Sequence, residues 1–292
     1  MNYPSREMVW VAVVTAVGYA GLALAGDTLP VPGFLSVAAG VVLPLALLFG
    51  PSVGWGAAAG VVATAVLRGS LAPTTLAVAA SVLVLATLGP RLWGAVPRLS
   101  SGRPPTDRSA RVLLEYAVVA VVAVATATAV VGWGYELLGA APFHVVALPT
   151  ALTLAATTLV VGPPTLLGGA RFADRLPLRR PPARDPSRAV ALGTVLVPLW
   201  FVAGVVVSLG FRVAQALATT TFTSRGLDWL VPMLDPALVG HGGRRVQVLL
   251  GAVALCLVTV LVTRPGAERP AERETSAGTE TEKTARRGVT DR

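Results

Sequence analysis

A single cysteine, two histidines and a 13% share of charged residues leave this 292-residue chain with little of what catalysis or a stapled fold draws on. Cys256 alone can form neither a disulfide framework nor a cysteine metal cluster. The sequence has no H-E-x-x-H, no Walker A run and no Cys/His metal spacing, and its histidines, His144 and His241, stand far apart. These shortages predict a chain that is not an enzyme and holds no metal and no cofactor. One formal match remains: Gly50-Pro51-Ser52-Val53-Gly54 fits G-x-S-x-G, a nucleophile pattern that needs a strand-to-helix elbow and a base in reach. Here it joins two apolar helical stretches, which predicts a serine that caps a helix.

What the chain has in abundance is apolar length. With 54% hydrophobic residues and a mean hydropathy of +0.70 it lies far from the composition of a soluble domain. Stretches of about 20 apolar residues each suffice to cross a ~30 Å hydrocarbon layer as a helix. Spans are predicted at 8–26, 33–49, 52–67, 73–90, 112–133, 145–169, 189–211 and 245–263, an all-α integral membrane protein of about eight transmembrane helices. The first stretch is too long for a signal h-region and is followed directly by further spans, so it is expected to be retained.

The formal net charge of +9 could suggest a nucleic acid partner, but the arginines gather in short loops beside apolar spans, so none is expected. Arg91, Arg98, Arg103, Arg108 and Arg111 face Asp107 in one loop, and Arg171, Arg175, Arg179, Arg180, Arg184 and Arg188 fill another. Positive loops stay inside, and an even number of crossings separates them from each other and from both ends. The expectation is a multi-pass protein of the cell membrane with both termini cytoplasmic. Residues 1–172 form a membrane core and 173–188 a basic cytoplasmic loop. Residues 189–263 supply two additional spans joined by an outer interfacial loop at 215–243, and 264–292 lack apolar periodicity and form a disordered tail. In that outer loop Trp229 suits headgroup depth, and the loop reads either as an interfacial segment or as a lid.

In this topology Asp27, Arg68, Trp133, Tyr135, Glu136 and His144 all fall at outer span ends. A charge at mid-bilayer costs at least ~2.5 kcal/mol, so such groups sit at ends or face a wet cavity. Together they form a candidate substrate-binding rim, walled by Trp133 and Tyr135, with Glu136, His144, Arg68 and Asp27 as polar groups. At the inner start of the fifth span Glu115 is expected to pair with a neighbouring arginine. Gly50-Pro51 and Gly162-Pro163-Pro164 predict kinks or tight turns. Ala12, Ala16 and Ala20 line one helical stripe, which suits either an internal helix or a separate membrane subunit. Gly54, Gly56 and Gly60 likewise permit close helix approach.

The run Leu29-Pro-Val-Pro-Gly33, then Val42-Leu-Pro-Leu-Ala-Leu-Leu-Phe-Gly-Pro51 with Val53-Gly54 and Gly60, resembles the front half of substrate-binding S components of energy-coupling factor transporters. The Ala12, Ala16, Ala20 series resembles the small-residue motif by which their first helix meets a coupling subunit, and Val160-Val-Gly-Pro-Pro164 is similar to their last-helix ending. The likeness spans residues 6–172, and the two further spans lie outside it. It implies a six-helix bundle that captures a vitamin, precursor or related micronutrient outside, with a membrane coupling subunit and cytosolic ATPases as partners. A membrane-embedded sensor or assembly scaffold is the competing reading from another class. The 29 residues after Thr263 are too short and polar for an output domain, which leaves the scaffold form of that reading.

Gly102→Cys and Pro182→Cys, each in a Cys256→Ser background, test the orientation. Both are expected to resist a membrane-impermeant maleimide in intact cells and to react after permeabilisation, and labelling of either in intact cells overturns it.

Overall fold

The computed structural model describes residues 6–28, 37–94, 100–101, 103–173, 188–217, 249, 251–253 and 256, and the described residues are helical wherever they are regular. Eight helices follow in order: α1 (Arg6–Thr28), α2 (Val37–Gly40), α3 (Val42–Phe49), α4 (Ser52–Leu67), α5 (Pro73–Leu92), α6 (Ala110–Leu137), α7 (Phe143–Ala173) and α8 (Arg188–Leu217). That number matches the predicted eight spans only by coincidence. Helices α2 and α3 are one interrupted rod, since i→i−4 bonds run through Val41, and together they are the second predicted span. The eighth, 245–263, lies largely outside the described residues, as do the 215–243 loop beyond Leu217 and the 264–292 tail. Within α1, α5, α6 and α7 there are four segments long and apolar enough to cross a membrane.

Valine, isoleucine-like branching and glycine would make poor helices in water. In lipid no water is present to satisfy a free N–H or C=O, each of which costs several kcal/mol, so the helix wins regardless of propensity. Threonines follow the same rule. The hydroxyls of Thr15, Thr64, Thr87, Thr126, Thr150 and Thr157 each donate to the carbonyl four residues earlier on their own helix. The outward surface is correspondingly apolar: Met8, Trp10, Val14, Val17, Leu76, Leu152 and Val160 are all exposed, which suits lipid contact and not water.

Helix α3 is the centre, packing on α4, α5 and α7, while α6 closes the far side against α5 and α7. The core joins Leu43, Ala46 and Leu47 of α3, Val53 and Ala57 of α4, Leu85 and Ala86 of α5, Tyr116 and Ala123 of α6 and Leu166 of α7. Glycines set the separations. A Cβ on Gly54 would lie 2.9 Å from that of Ala86, and one on Gly40 would lie 2.8 Å from that of Thr157.

Helix α1 lies outside this core and rests mainly on α4. Ala12 and Ala16 meet Gly56 and Gly60 in a parallel pair: a Cβ on Gly60 would stand 2.8 Å from the Ala16 carbonyl oxygen, and one on Gly56 would press on the Ala12 carbonyl. Half-buried Ala20 continues this face. The stripe expected to meet a partner subunit is thus turned inward in its Ala12 and Ala16 portion, because the glycine face of α4 offers the close approach that small residues seek.

The predicted turn at Gly50-Pro51 is present. Gly50 has φ of 84°, and its N–H closes α3 on Ala46, after which Pro51 starts α4. At Gly162-Pro163-Pro164 the outcome differs, since α7 remains helical through Pro149, Pro163 and Pro164. Proline is tolerated there because neighbouring helices hold the rod. The bare face of Gly162 receives the Tyr116 hydroxyl, which donates to the Thr158 carbonyl at 2.8 Å. An interhelical bond of this kind contributes about 0.6 kcal/mol, so close packing decides the contact.

At the end where α5 leads to α6, Glu115 is buried and its two oxygens accept the N–H groups of Gly94 and Ser101, both at 2.8 Å. These backbone amides are its partners among the described residues, and Arg98, one of the arginines expected to pair with it, lies outside them. In the same loop Arg103 pairs with Asp107 at 2.8 Å. That hydrogen bond from Arg103 is the chief cause holding the Asp107 carboxyl below its ordinary range.

Two predictions follow from this packing. Gly60→Leu is expected to destabilise the protein by about 1–3 kcal/mol through overpacking against Ala16 and Tyr19, read as a lower melting temperature in detergent. Asp107 is expected to titrate below a free aspartate by NMR. The loop contact should persist above that lowered pKa and be lost as pH falls through it, and Arg103→Ala should move the titration upward.

Candidate functional site

The end of the bundle opposite Glu115 carries the predicted rim. Helices α4 and α6 stop there in the same way, with Gly69 (φ 64°) and Gly139 (φ 66°) just past their caps. Ser70 N–H donates to Ala65 O and Ala140 N–H to Tyr135 O, while Gly69 and Gly139 bond to Val66 and Glu136. Both are paired reverse bonds that satisfy the last carbonyls of a helix, and glycine is required because φ is positive.

Among the described residues, the rim residues take part in separate sets of contacts. Arg68, at the end of α4, donates to the Ala23 carbonyl of α1 at 3.0 Å. Asp27 belongs to the last turn of α1, and its side chain lies outside the described residues. Glu136, Tyr135 and His144 are half-buried at the α6–α7 junction. There Glu136 Oε2 accepts the N–H of Phe143, the first residue of α7. A carboxylate at that point satisfies an orphan helix donor and opposes the positive end of the α7 dipole. His144 Nδ1 lies 2.9 Å from Ser208 Oγ of α8, so its ring is directed at α8.

Trp133 is 1% exposed, one turn inside the end of α6, and is walled in by protein. Its ring lies 4.7 Å from that of Phe143 with a 43° tilt, and Phe143 in turn lies 6.1 Å from Phe201 of α8. Ala129 and Ala147 complete this nest, with Trp200 and Val205 of α8 packed on it. Small residues admit the rings: Gly132 and Gly204 flank Phe143, and a Cβ on Gly251 would stand 2.6 Å from Trp133 Cε3.

The nest carries an unresolved polar deficit. Among the described residues, Trp133 Nε1 and Trp200 Nε1 are both buried donors without a hydrogen-bond acceptor. A buried unpaired N–H costs roughly 1–3 kcal/mol, so two in one aromatic cluster require an explanation beyond packing. Donors of this kind can bind a carbonyl, a carboxylate or a ring nitrogen of a guest molecule, while the rings stack on its flat apolar portion.

The sequence pointed to Trp133 and His144 but not to their α8 partners. Trp200-Phe201 was visible as adjacent aromatics inside the seventh apolar run. Ser208 gave no signal, since its partner is 64 residues away. The Ser52 hydroxyl donates to Phe49 O at 3.4 Å, and Pro51, not Ser52, takes the cap position of α4. Leu48 packs on Gly169, placing Ser52 near the far end of α7, about 37 Å along that helix from His144.

No family model, curated protein or solved structure matches this chain.

Proposed function

We propose that this protein is the small-molecule capture component of a membrane uptake system, taking its ligand at the α6–α7–α8 junction on the outer face of the cell membrane. In this reading both termini are cytoplasmic, and a membrane coupling subunit with cytosolic ATPases supplies the energy. The resemblance of residues 6–172 to S components supports it from the sequence. The observation that carries it is the pair of buried, acceptor-less indole donors, Trp133 Nε1 and Trp200 Nε1, beside Glu136 and His144. A flat, partly apolar molecule with hydrogen-bond acceptors, as in many vitamins and their precursors, satisfies both donors and stacks on Phe143. Glu136 and the His144–Ser208 pair act as positioning groups that fix the first turn of α7 against α6 and α8.

An assembly scaffold without transport is the second reading, and one observation favours it. Ala12 and Ala16, the face on which an S component would meet its coupling subunit, are engaged with α4. Docking of such a subunit would have to use another surface.

Trp133→Phe and Trp200→Phe separate ligand binding from packing, because each keeps an aromatic ring and deletes only the N–H. Purified from native expression in mild detergent, the wild type is expected to carry a small molecule detectable by mass spectrometry, along with a second membrane subunit and ATPases. Each Phe variant should lose most of the ligand and, compared with wild type after ligand removal, melt no lower, since it removes a donor that is then unpaired. Unchanged retention moves the site elsewhere, and a ligand-free protein without ATPases favours the scaffold.

A further inference from the structure

Helix α1 leans on α4 and leaves a lateral gap toward α3. A cavity of about 560 Å³ occupies this gap, lined on one side by Trp10, Val14, Gly18 and Leu22 and on the other by Leu45 and Phe49, with Glu7 at one end. The volume falls in the range of ligand-binding clefts. From Glu7 to Leu22 the groove follows about 22 Å of helix, most of the depth of a hydrocarbon layer. Its polar lining is small: the Thr15 hydroxyl donates to Val11 O within α1, and Tyr19 adds a phenol. The remaining charge is at the end: Glu7 and its neighbour Arg6 are exposed and form no ion pair among the described residues. Trp10, also exposed, sits one turn further in, a depth at which an indole bridges headgroups and acyl chains.

We infer that this groove is a specific site for a bilayer phospholipid with a primary ammonium headgroup, its acyl chain lying between α1 and α3 and its head at the start of α1. A long apolar slot with the Glu7 carboxylate in its lining and the Arg6 guanidinium next to it in sequence, outside the lining, matches a zwitterionic amphipath: Glu7 receives the ammonium and the long Arg6 side chain reaches the phosphate beside the slot. An anionic lipid would satisfy Arg6 but meet repulsion at Glu7, and a quaternary ammonium has no N–H to donate to that carboxylate. The inference is independent of the uptake reading, because it uses neither the α6–α7–α8 junction nor a partner subunit.

Two glycines give a matched test. A Cβ on Gly18 or on Gly21 meets nothing within 4 Å, yet only Gly18 lines the cavity. Leucine at either position extends helix propensity without a clash. The full chain is reconstituted in nanodiscs of equal parts phosphatidylethanolamine, phosphatidylglycerol and phosphatidylcholine, and retained lipid is read by native mass spectrometry. The expected result is phosphatidylethanolamine enriched about fivefold over the other two in the wild type and in Gly21→Leu, and no enrichment in Gly18→Leu at an unchanged melting temperature. Glu7→Gln should retain lipid but lose the headgroup preference. Lipid bound in the mixing ratio, enrichment of phosphatidylglycerol or phosphatidylcholine, or enrichment that survives Gly18→Leu overturns the assignment.

Discussion

The close approach of α1 to α4 through Ala12, Ala16, Gly56 and Gly60 determines what the rest of the bundle can offer to its surroundings. Apolar side chains gain nothing by leaving lipid for one another, so a peripheral helix is held by contact distance and by little else. Glycine on α4 brings α1 within van der Waals reach of backbone, and that proximity tilts the balance toward α4 and away from α3. Two consequences are opposite sides of one fact. The small-residue stripe is spent inside the protein, and the space it vacates beside α3 becomes an apolar groove.

Helix α6 plays the complementary part. Its apolar segment is 72% buried, against 6% for that of α1, so it is the axis and α1 the outrigger. Each end of α6 holds a carboxylate that accepts backbone N–H groups from the adjoining chain: Glu115 takes Gly94 and Ser101, and Glu136 takes Phe143. Hydrogen bonds to an ionised acceptor are about twice as strong as neutral ones. The loops before and after α6 are therefore fixed to it, and sliding α6 along its axis would strip the buried Glu115 carboxyl of its partners.

Much of this frame was legible in the residues. Apolar length located seven of the helical rods, and Gly50-Pro51 gave its turn because a positive φ and a missing N–H leave few alternatives. The Ala12–Ala16 and Gly56–Gly60 faces were each recognisable as surfaces for close approach, but periodicity within a helix carries no information about which other helix it meets. Whether Gly162-Pro163-Pro164 would end its helix was not legible for a related reason: a broken hydrogen-bond ladder is a local penalty, and the packing that keeps the helix going comes from Tyr116, 46 residues earlier. The two amides that meet Glu115 were not legible either, because amides presented by a folded loop leave no mark in the neighbouring charges. The groove had no sequence signature at all, being a place where two helices fail to touch.

The aromatic nest joins these themes. No residue of α8 belongs to the central core that unites α3, α4, α5, α6 and α7, whereas Trp200, Phe201 and Val205 of α8 cover Trp133 and Phe143. Moving α8 would thus expose the two unpaired indoles without opening the core. The reverse does not hold, since displacing α6 or α7 breaks the Tyr116–Thr158 contact, the Glu136 cap and the Gly40–Thr157 packing together. In the proposed capture role, the side of least cost for a guest to reach Trp133 is therefore that of α8, where His144 and Ser208 form a polar tie between α7 and α8 among the described residues.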